Sequence, residues 1–382
     1  MNKFSFLFVF LSILLQACGQ HTNENHSDQH DPEQDEKALA PSSRYSLKDF
    51  LNSNEQLESD VERIFHQLDD TAIVAQLLMP AIGKYGQTEE TIRSLVQKRQ
   101  IGGLLLLNGT KQQFSNWTKE FDSTNLSLGQ LPFLYSADAE PSLVNRKIIG
   151  SRTVKKANQL KSIQEVRDCA DTISRDLTEI GINYNFAPVV DMSPNKTVGY
   201  RSFGAKTENI IPWSEAFIQQ SQDQQIIATA KHFPGHGLVS GDTHKSLQVI
   251  NGELKEIGNY PPLIQKGVLS IMIAHIAVKN NRQYDTKGMP ASISHKIVTE
   301  LLRNEMNFKG LIVTDAMNMG GVVNIPNCNI QAVQAGCDVI LMPVNASKTH
   351  LEILNKYHQD PNFKTIVDQA AKRIIRMKLC LM

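Results

Sequence analysis

The chain has 382 residues, with 39 Lys plus Arg balancing 39 Asp plus Glu, so its formal net charge is zero. A nucleic-acid binder carries a clustered basic excess, and a balanced chain gives no case for that class of partner. Hydrophobic residues make up 41% and charged residues 20%, which excludes wholesale disorder, and five Cys are too few for a disulfide scaffold of this length.

The first apolar run, Phe4 to Leu15, follows Met1, Asn2 and Lys3. It is shorter than the ~20 residues needed to cross a bilayer and has the length of a signal-peptide core. No later run approaches spanning length, so the body is expected to be soluble and outside the cytoplasm. The run ends in Leu15-Gln16-Ala17-Cys18-Gly19, which resembles the bacterial lipoprotein processing site; an ordinary cleaved signal peptide is the alternative. The resemblance implies a signal peptide over 1–17 and acyl chains on Cys18. It also implies a cell-envelope location, lipid-anchored to a membrane and facing the periplasm or the cell surface. Each buried CH₂ contributes ~0.8 kcal/mol, and two or more chains make such anchoring stable. Residues 18–60 are expected to form a polar tether, since 19–41 is acidic and lacks aromatics and cannot offset the entropy of ordering. His21, His26 and His30 fall there and read as solvated linker histidines, since no Cys or firm ligand geometry accompanies them.

From residue 61 onward the chain alternates between short apolar runs and helical patterns. The runs are Ala72 to Ile82, Ile101 to Leu107, Pro132 to Asp138, Tyr184 to Asp191, Ile226 to Phe233, Ser270 to Ile276, Gly310 to Asp315 and Asp338 to Pro343. Continuous apolar runs suit strands buried on both faces of a parallel sheet. Amphipathic helices are expected over Ser162 to Ile180, over His295 to Phe308 with Ser294 as its hydroxyl cap, and over Asn362 to Leu379. Eight strand–helix units over one stretch of 61–382 predict a single (β/α)8 barrel of the α/β class. The competitor, a doubly wound sheet, is disfavoured because no G-x-G-x-x-G follows the first strand. Cys169, Cys328, Cys337 and Cys380 read as mostly buried free thiols, although Cys328 and Cys337 are close enough in sequence to pair.

In such a barrel the active site forms at the C-terminal ends of the strands. Polar residues fall there: Asp138, Asp191, Lys231, His232, His275 and Asp315. Packing alone explains such a set poorly. The densest constellation is Lys231-His232-Phe233-Pro234-Gly235-His236-Gly237, followed by Asp242-Thr243-His244. Pro and Gly there mark a sharp exit into a loop. An Asp two residues from a His can hydrogen-bond it and raise its basicity, making His244 a candidate general acid/base. A zinc site from His232, His236, Asp242 and His244 matches none of the usual spacings. Asp315, at a strand tip, is placed to act as a nucleophile.

These residues resemble glycoside hydrolase family 3, in its single-domain β-N-acetylglucosaminidase branch. The Lys-His-Phe-Pro-Gly-His-Gly run with its Asp-x-His carries the resemblance. Asn185-Phe186-Ala187-Pro188-Val189-Val190-Asp191, Arg201-Ser202-Phe203-Gly204, the segment from Phe308 to Asp315, and Ala335-Gly336-Cys337-Asp338 support it. The resemblance implies a retaining mechanism with Asp315 as nucleophile and His244 as acid/base, oriented by Asp242 on a mobile loop. It implies Asp138, Arg146, Arg201, Lys231 and His232 as the groups that hold the terminal sugar. No metal or organic cofactor is implied. The expected substrates are terminal β-linked N-acetylhexosamines of peptidoglycan fragments, muropeptide-type molecules or related oligosaccharides. A β-glucosidase, a phosphorylase variant and a non-catalytic glycan-binding lipoprotein are the alternatives.

Two departures from the family pattern carry expectations. Pro141 and Ser142 stand where the family commonly has two Gly after Asp-x-Glu. Pro fixes φ and lacks an N–H, and Ser disfavours positive φ, so the loop leading to Arg146 is expected to rebuild. Leu238 stands where an Asp commonly follows His-Gly, which is expected to alter how the acid/base loop is held.

Overall fold

In the computed structural model, the described residues are 44–192, 199–239 and 241–382. They form a closed barrel of eight parallel strands. The strand β1 comes in two pieces, Leu78–Met79 and Ala81–Ile82. It is followed by β2 (Gly103–Leu106), β3 (Leu134–Ala137), β4 (Tyr184–Asn185), β5 (Ile227–Phe233), β6 (Ser270–Ile273), β7 (Leu311–Thr314) and β8 (Ile340–Leu341). Neighbours in sequence pair in parallel from β1 to β7. Closure comes from β8, which pairs with β1 through Leu78↔Ile340 and Met79↔Leu341 and meets β7 at Val313↔Val339. Pro80 divides β1 because it has no N–H to give the ladder, while its carbonyl still accepts from Leu105 N at 2.9 Å. Closure rules out the doubly wound sheet. The strand residues are buried throughout, as continuous apolar runs between a filled interior and a helical coat require.

Three local expectations differ from what is found. The first apolar run is not one strand: Asp70–Ala75 is a helix, capped by the Asp69 carboxylate accepting from Ala72 N at 2.8 Å, and the strand begins only at Leu78. An apolar run cannot by itself distinguish a buried helix from a buried strand, and the cap decided it. Between His295 and Phe308 the helix covers Lys296–Glu305 with wide i→i+5 turns, and Ser294 offers its carbonyl to Ile297 N and Val298 N rather than its hydroxyl. The packed body also starts ahead of residue 61. Leu47, Phe50 and Leu57 are buried, and Arg376 donates to the Phe50 carbonyl at 2.7 Å. The helices Ile163–Ile180 and Pro361–Leu379 lie where the patterns place them; Ser162 caps the first through Glu165 N, and Gly181 ends it at φ 91°.

At the N-terminal rim, the buried Asp338 binds Arg303 at 2.8 Å, Arg373 at 2.7 Å and Ile312 N at 2.8 Å. This ties β7 and β8 to two outer helices, a structural role suited to that face. Cys169, Cys328, Cys337 and Cys380 are free and buried. Cys18 and the histidines at 21, 26 and 30 lie outside the described residues. Among the described residues, no helix is long and apolar enough to cross a membrane.

Candidate active site

Strand ends supply a buried chain of charges. Asp138 follows β3, and the Lys231 side chain, on β5, is 1% exposed. Lys231 Nζ donates to Asp138 Oδ1 at 2.9 Å and to Glu140 Oε1 at 2.6 Å. Glu140 in turn receives both arms of the Arg201 guanidinium, Nε at 2.8 Å and Nη2 at 2.6 Å. Lys147 also pairs with Asp138. Burial by itself would raise both carboxyls. The Lys147 and Lys231 charges instead hold Asp138 well below the usual carboxylate range, and Arg201 and Lys231 bring Glu140 down to about 2. Burial opposes charge on Lys231, but Asp138 and Glu140 outweigh it and raise its pKa. The network is therefore fully ionised at neutral pH, with each charge paired as burial demands.

The next layer orients the rings. Asp191 Oδ2 lies 2.6 Å from His232 Nδ1, and Oδ1 accepts from His232 N and His236 N at 3.1 and 2.9 Å. His232 Nε2 is the ring nitrogen left for a ligand. Asp315 follows β7; its N–H donates to the Ile273 carbonyl, and its Oδ1 accepts from Ala316 N at 2.8 Å. Burial opposes ionisation of Asp315, yet His232, His275, the Ala316 N–H and His244 together hold its pKa below the ordinary value. An ionised carboxylate is the form a nucleophile needs. His275, at the end of β6, braces this segment by bonding Ser292 Oγ at 2.7 Å and the Ala316 carbonyl at 3.0 Å. Burial lowers its pKa.

The loop after β5 carries the acid/base candidate. Asp242 Oδ1 accepts from His244 Nδ1 at 2.8 Å and from His244 N at 3.0 Å. That bond assigns the Nδ1 proton and leaves Nε2 free to exchange one. Three sets of bonds hold the loop. At its root, the buried Glu256 accepts from Met192 N at 2.6 Å and from Gly237 N and Leu238 N, each at 3.2 Å. Leu238 is thus held through its backbone, and its half-exposed side chain does not anchor the loop. In the middle, His236 Nε2 meets Thr243 Oγ1 at 3.2 Å; burial and the neighbouring His232 lower the His236 pKa to about 4, so this ring is neutral. At the tip, Gly320 N donates to the His244 carbonyl at 3.0 Å and Gly321 N to the Thr243 carbonyl at 3.1 Å. The segment just after Asp315 therefore latches the loop that carries His244.

The rebuilt loop after β3 closes well. Neither Pro141 nor Ser142 adopts a positive φ. The Glu140 carbonyl accepts from Leu143 N and Val144 N, and a four-residue helix, Val144–Lys147, follows. Ser142 Oγ donates to the Tyr200 carbonyl at 2.6 Å and accepts from Ala157 N at 2.9 Å. This puts the helix where Lys147 reaches Asp138, while Arg146 beside it is exposed at the cavity wall.

One cavity of about 480 Å³ is lined by Asp138, Arg146, Arg201, Lys231, His232, Asp242, His244 and Asp315, all eight residues that the sequence nominated for catalysis or sugar binding. Lys147 lines it too. The sequence pattern did not single out Glu140, Lys147 or Glu256. Glu140 had a signal, a second carboxylate two residues after Asp138; Glu256, far along the chain from the loops it joins, had none.

Residues 70–377 match the glycosyl hydrolase family 3 N-terminal domain. The chain belongs to glycosyl hydrolase family 3. It is 30% identical over 303 residues to a β-hexosaminidase of Glaesserella parasuis, an alignment covering 75% of this chain and 87% of that protein. It is 28% identical over 283 residues to β-hexosaminidase A of Pseudoalteromonas piscicida, covering 66% of this chain and 47% of that protein; the chain thus spans about half the length of some relatives and most of others. Among solved structures, the family 3 β-N-acetylglucosaminidase of Paenibacillus sp. str. FPU-7 superposes with a TM-score of 0.74 at 25% identity, over 82% of this chain and 63% of that one.

Two outcomes follow from how this family 3 site holds its loop. A Cβ at Gly320 would lie 2.3 Å from the Lys245 carbonyl oxygen, so Gly320→Ala is expected to break the latch. Amide exchange over 242–246 should quicken by about tenfold, as for the loss of ~1.4 kcal/mol of local stability, with the barrel strands unchanged. Burial and the Asp191 charge push Glu256 up to about 8. Between its ordinary value and about 8 the folded state then binds more protons than the unfolded one, so this group makes stability fall as pH rises. Glu256→Gln should flatten that slope in denaturant unfolding series; a slope unchanged by the substitution would contradict the assignment.

Proposed function

We propose that this family 3 chain is a retaining exo-acting β-N-acetylglucosaminidase that removes terminal β-linked N-acetylhexosamine from oligosaccharides of the peptidoglycan-fragment type. The observation that carries the reading is the shared cavity: an ionised carboxylate, Asp315, and an Asp-oriented imidazole, His244, line it together with the Asp138–Lys231–Arg201 charges. The β-hexosaminidases among its relatives support the choice of sugar.

In the first step, Asp315 attacks the anomeric carbon, the bond from that carbon to the leaving oxygen breaks, and His244 Nε2 gives its proton to that oxygen. A glycosyl–Asp315 ester results. Asp242 stabilises the imidazolium before this transfer through its bond to Nδ1. In the second step His244 Nε2 takes a proton from water, whose oxygen attacks the anomeric carbon and releases Asp315. The product keeps the starting configuration because two inversions occur. Asp138 accepts from sugar hydroxyls, while Lys231, Arg201, Arg146 and Lys147 offer donors to hydroxyl or amide oxygens, and His232 presents Nε2. The non-catalytic reading rested on the Pro141–Ser142 departure; the loop there closes with satisfied backbone bonds and loses that support.

The test is hydrolysis of matched aryl β-N-acetylglucosaminide and aryl β-glucoside by the protein lacking residues 1–18. Turnover of the acetamido sugar is expected, lost by at least ~10³-fold in Asp315→Ala with the fold intact. In His244→Ala the loss should be smaller on the activated aryl glycoside than on a sugar leaving group, because protonation matters less there. Turnover by Asp315→Ala at the parent rate would remove the nucleophile assignment.

Attachment of lipid to Cys18 is part of the proposal, and it would hold the enzyme at a membrane of the cell envelope next to its substrate. Cells fed labelled palmitate should mark the parent chain and leave Cys18→Ser unmarked; equal labelling of both would rule out this anchor.

A further inference from the structure

Beyond the cavity floor lies a feature that the catalytic scheme leaves unused. Tyr85 is 63% exposed, and what sets it apart is where it stands. Tyr85 borders two adjoining spaces. It lines the catalytic cavity with Asp315 and His244, and it lines a smaller pocket of about 150 Å³ with Gln87, Asn318, Met342 and Val344. Asn318 and Met342 are likewise shared by both spaces. The small pocket therefore adjoins the catalytic one, at the side where the β1 loop meets the segments that follow β7 and β8.

Backbone hydrogen bonds tie down the Tyr85 loop. Lys84 N donates to the Asn108 carbonyl at 3.1 Å, Gly86 N to the Gly83 carbonyl at 3.0 Å and Gln87 N to the Ala81 carbonyl at 2.7 Å. Gly83 sits at φ 122°, and a Cβ there would lie 2.1 Å from the Leu107 carbonyl oxygen, so the turn packs directly on the end of β2. Gln87 Nε2 donates to the Val344 carbonyl at 3.1 Å and closes the pocket's far wall. The Lys84 ammonium lies 5.5 Å from the centroid of the Tyr85 ring, and a backbone already in place lowers the ordering cost when a ligand lands there.

We propose that Tyr85, with Gln87, Asn318 and Met342, forms the subsite for the sugar on the leaving-group side of the scissile bond. This rests on the glycosidase reading above and names its substrate class: β-linked oligosaccharides whose second residue is a pyranose, rather than glycosides of small or aliphatic alcohols. The chemistry fits. A β-linked pyranose with equatorial substituents presents a face of C–H bonds, and the negative face of an aromatic ring is complementary to it. The amide groups of Gln87 and Asn318 can meet the equatorial hydroxyls around the same ring. An aliphatic chain would offer no hydrogen bond to the Asn318 amide or to Gln87 Oε1, the atom of that amide that its Val344 bond leaves open.

The probes are β-1,4-linked di-N-acetylglucosamine and methyl β-N-acetylglucosaminide, the second of which offers no ring to Tyr85. Binding of each is measured by calorimetry on the Asp315→Asn protein carrying Tyr85, Tyr85→Phe or Tyr85→Ala. The ratio of the two Kd values should favour the disaccharide with Tyr85 and with Phe, and the preference should shrink by about tenfold with Ala, as expected for one ring contact. No preference with Tyr85 present, or a preference that survives in Tyr85→Ala, overturns the subsite. Turnover of the same two sugars by the Asp315 protein reports on the glycosidase reading separately. Turnover combined with a Tyr85-independent preference sinks the subsite alone; a Tyr85-dependent preference without any turnover sinks the glycosidase reading alone.

Discussion

The buried ammonium of Lys231 is the interaction on which the site depends. It lies between Asp138 and Glu140, and Glu140 holds Arg201 in a two-armed bond. A charge buried inside a barrel is costly to leave unpaired, so each of these groups fixes the position of the next. Through them the ends of β3 and β5 and the loop carrying Arg201 share one geometry. The pairing also keeps Asp138 and Glu140 ionised, so the floor of the cavity presents fixed charges rather than groups that titrate near neutrality.

Around that rigid floor, the acid/base candidate sits on a loop, and the loop is held at three levels. Glu256 gathers its root, His236 touches Thr243, and Gly320 with Gly321 fastens the tip to the segment that follows Asp315. The last contact links the two reacting groups: the backbone that places the carboxylate also places the imidazole. A loop built this way can be moved by changes in a few hydrogen bonds without disturbing the barrel, because none of the barrel's ladder bonds pass through it. The Tyr85 loop on another side of the cavity is held by backbone bonds of its own, from Lys84, Gly86 and Gln87.

Much of this was legible in the sequence because barrel strands declare themselves. Apolar runs such as Ile226 to Phe233 end in polar residues, and in a parallel barrel those ends converge. Lys231, His232 and Asp315 could be nominated for that reason, and Asp242 with His244 because two residues of spacing lets a carboxylate reach the ring beside it. Where the sequence misled, local chemistry was ambiguous. Ala72 to Ile82 reads as one apolar run, but a carboxylate cap at Asp69 makes its first part helical. Pro141 and Ser142 signalled a rebuilt loop, but not that the Ser142 hydroxyl would pin it to Tyr200 and Ala157.

The sequence by itself determined the eight-strand alternation and the residue types that meet at its rim, since hydrophobic period and strand-end polarity are local properties of the chain. Tertiary structure alone decided the pairings. Lys147 rather than Arg146 binds Asp138, Glu256 reaches back to Met192, Gly237 and Leu238, and Gly320 latches His244. These contacts join segments that adjoin only once the barrel has closed. Their geometry depends on distance in space, which no pattern along the chain encodes.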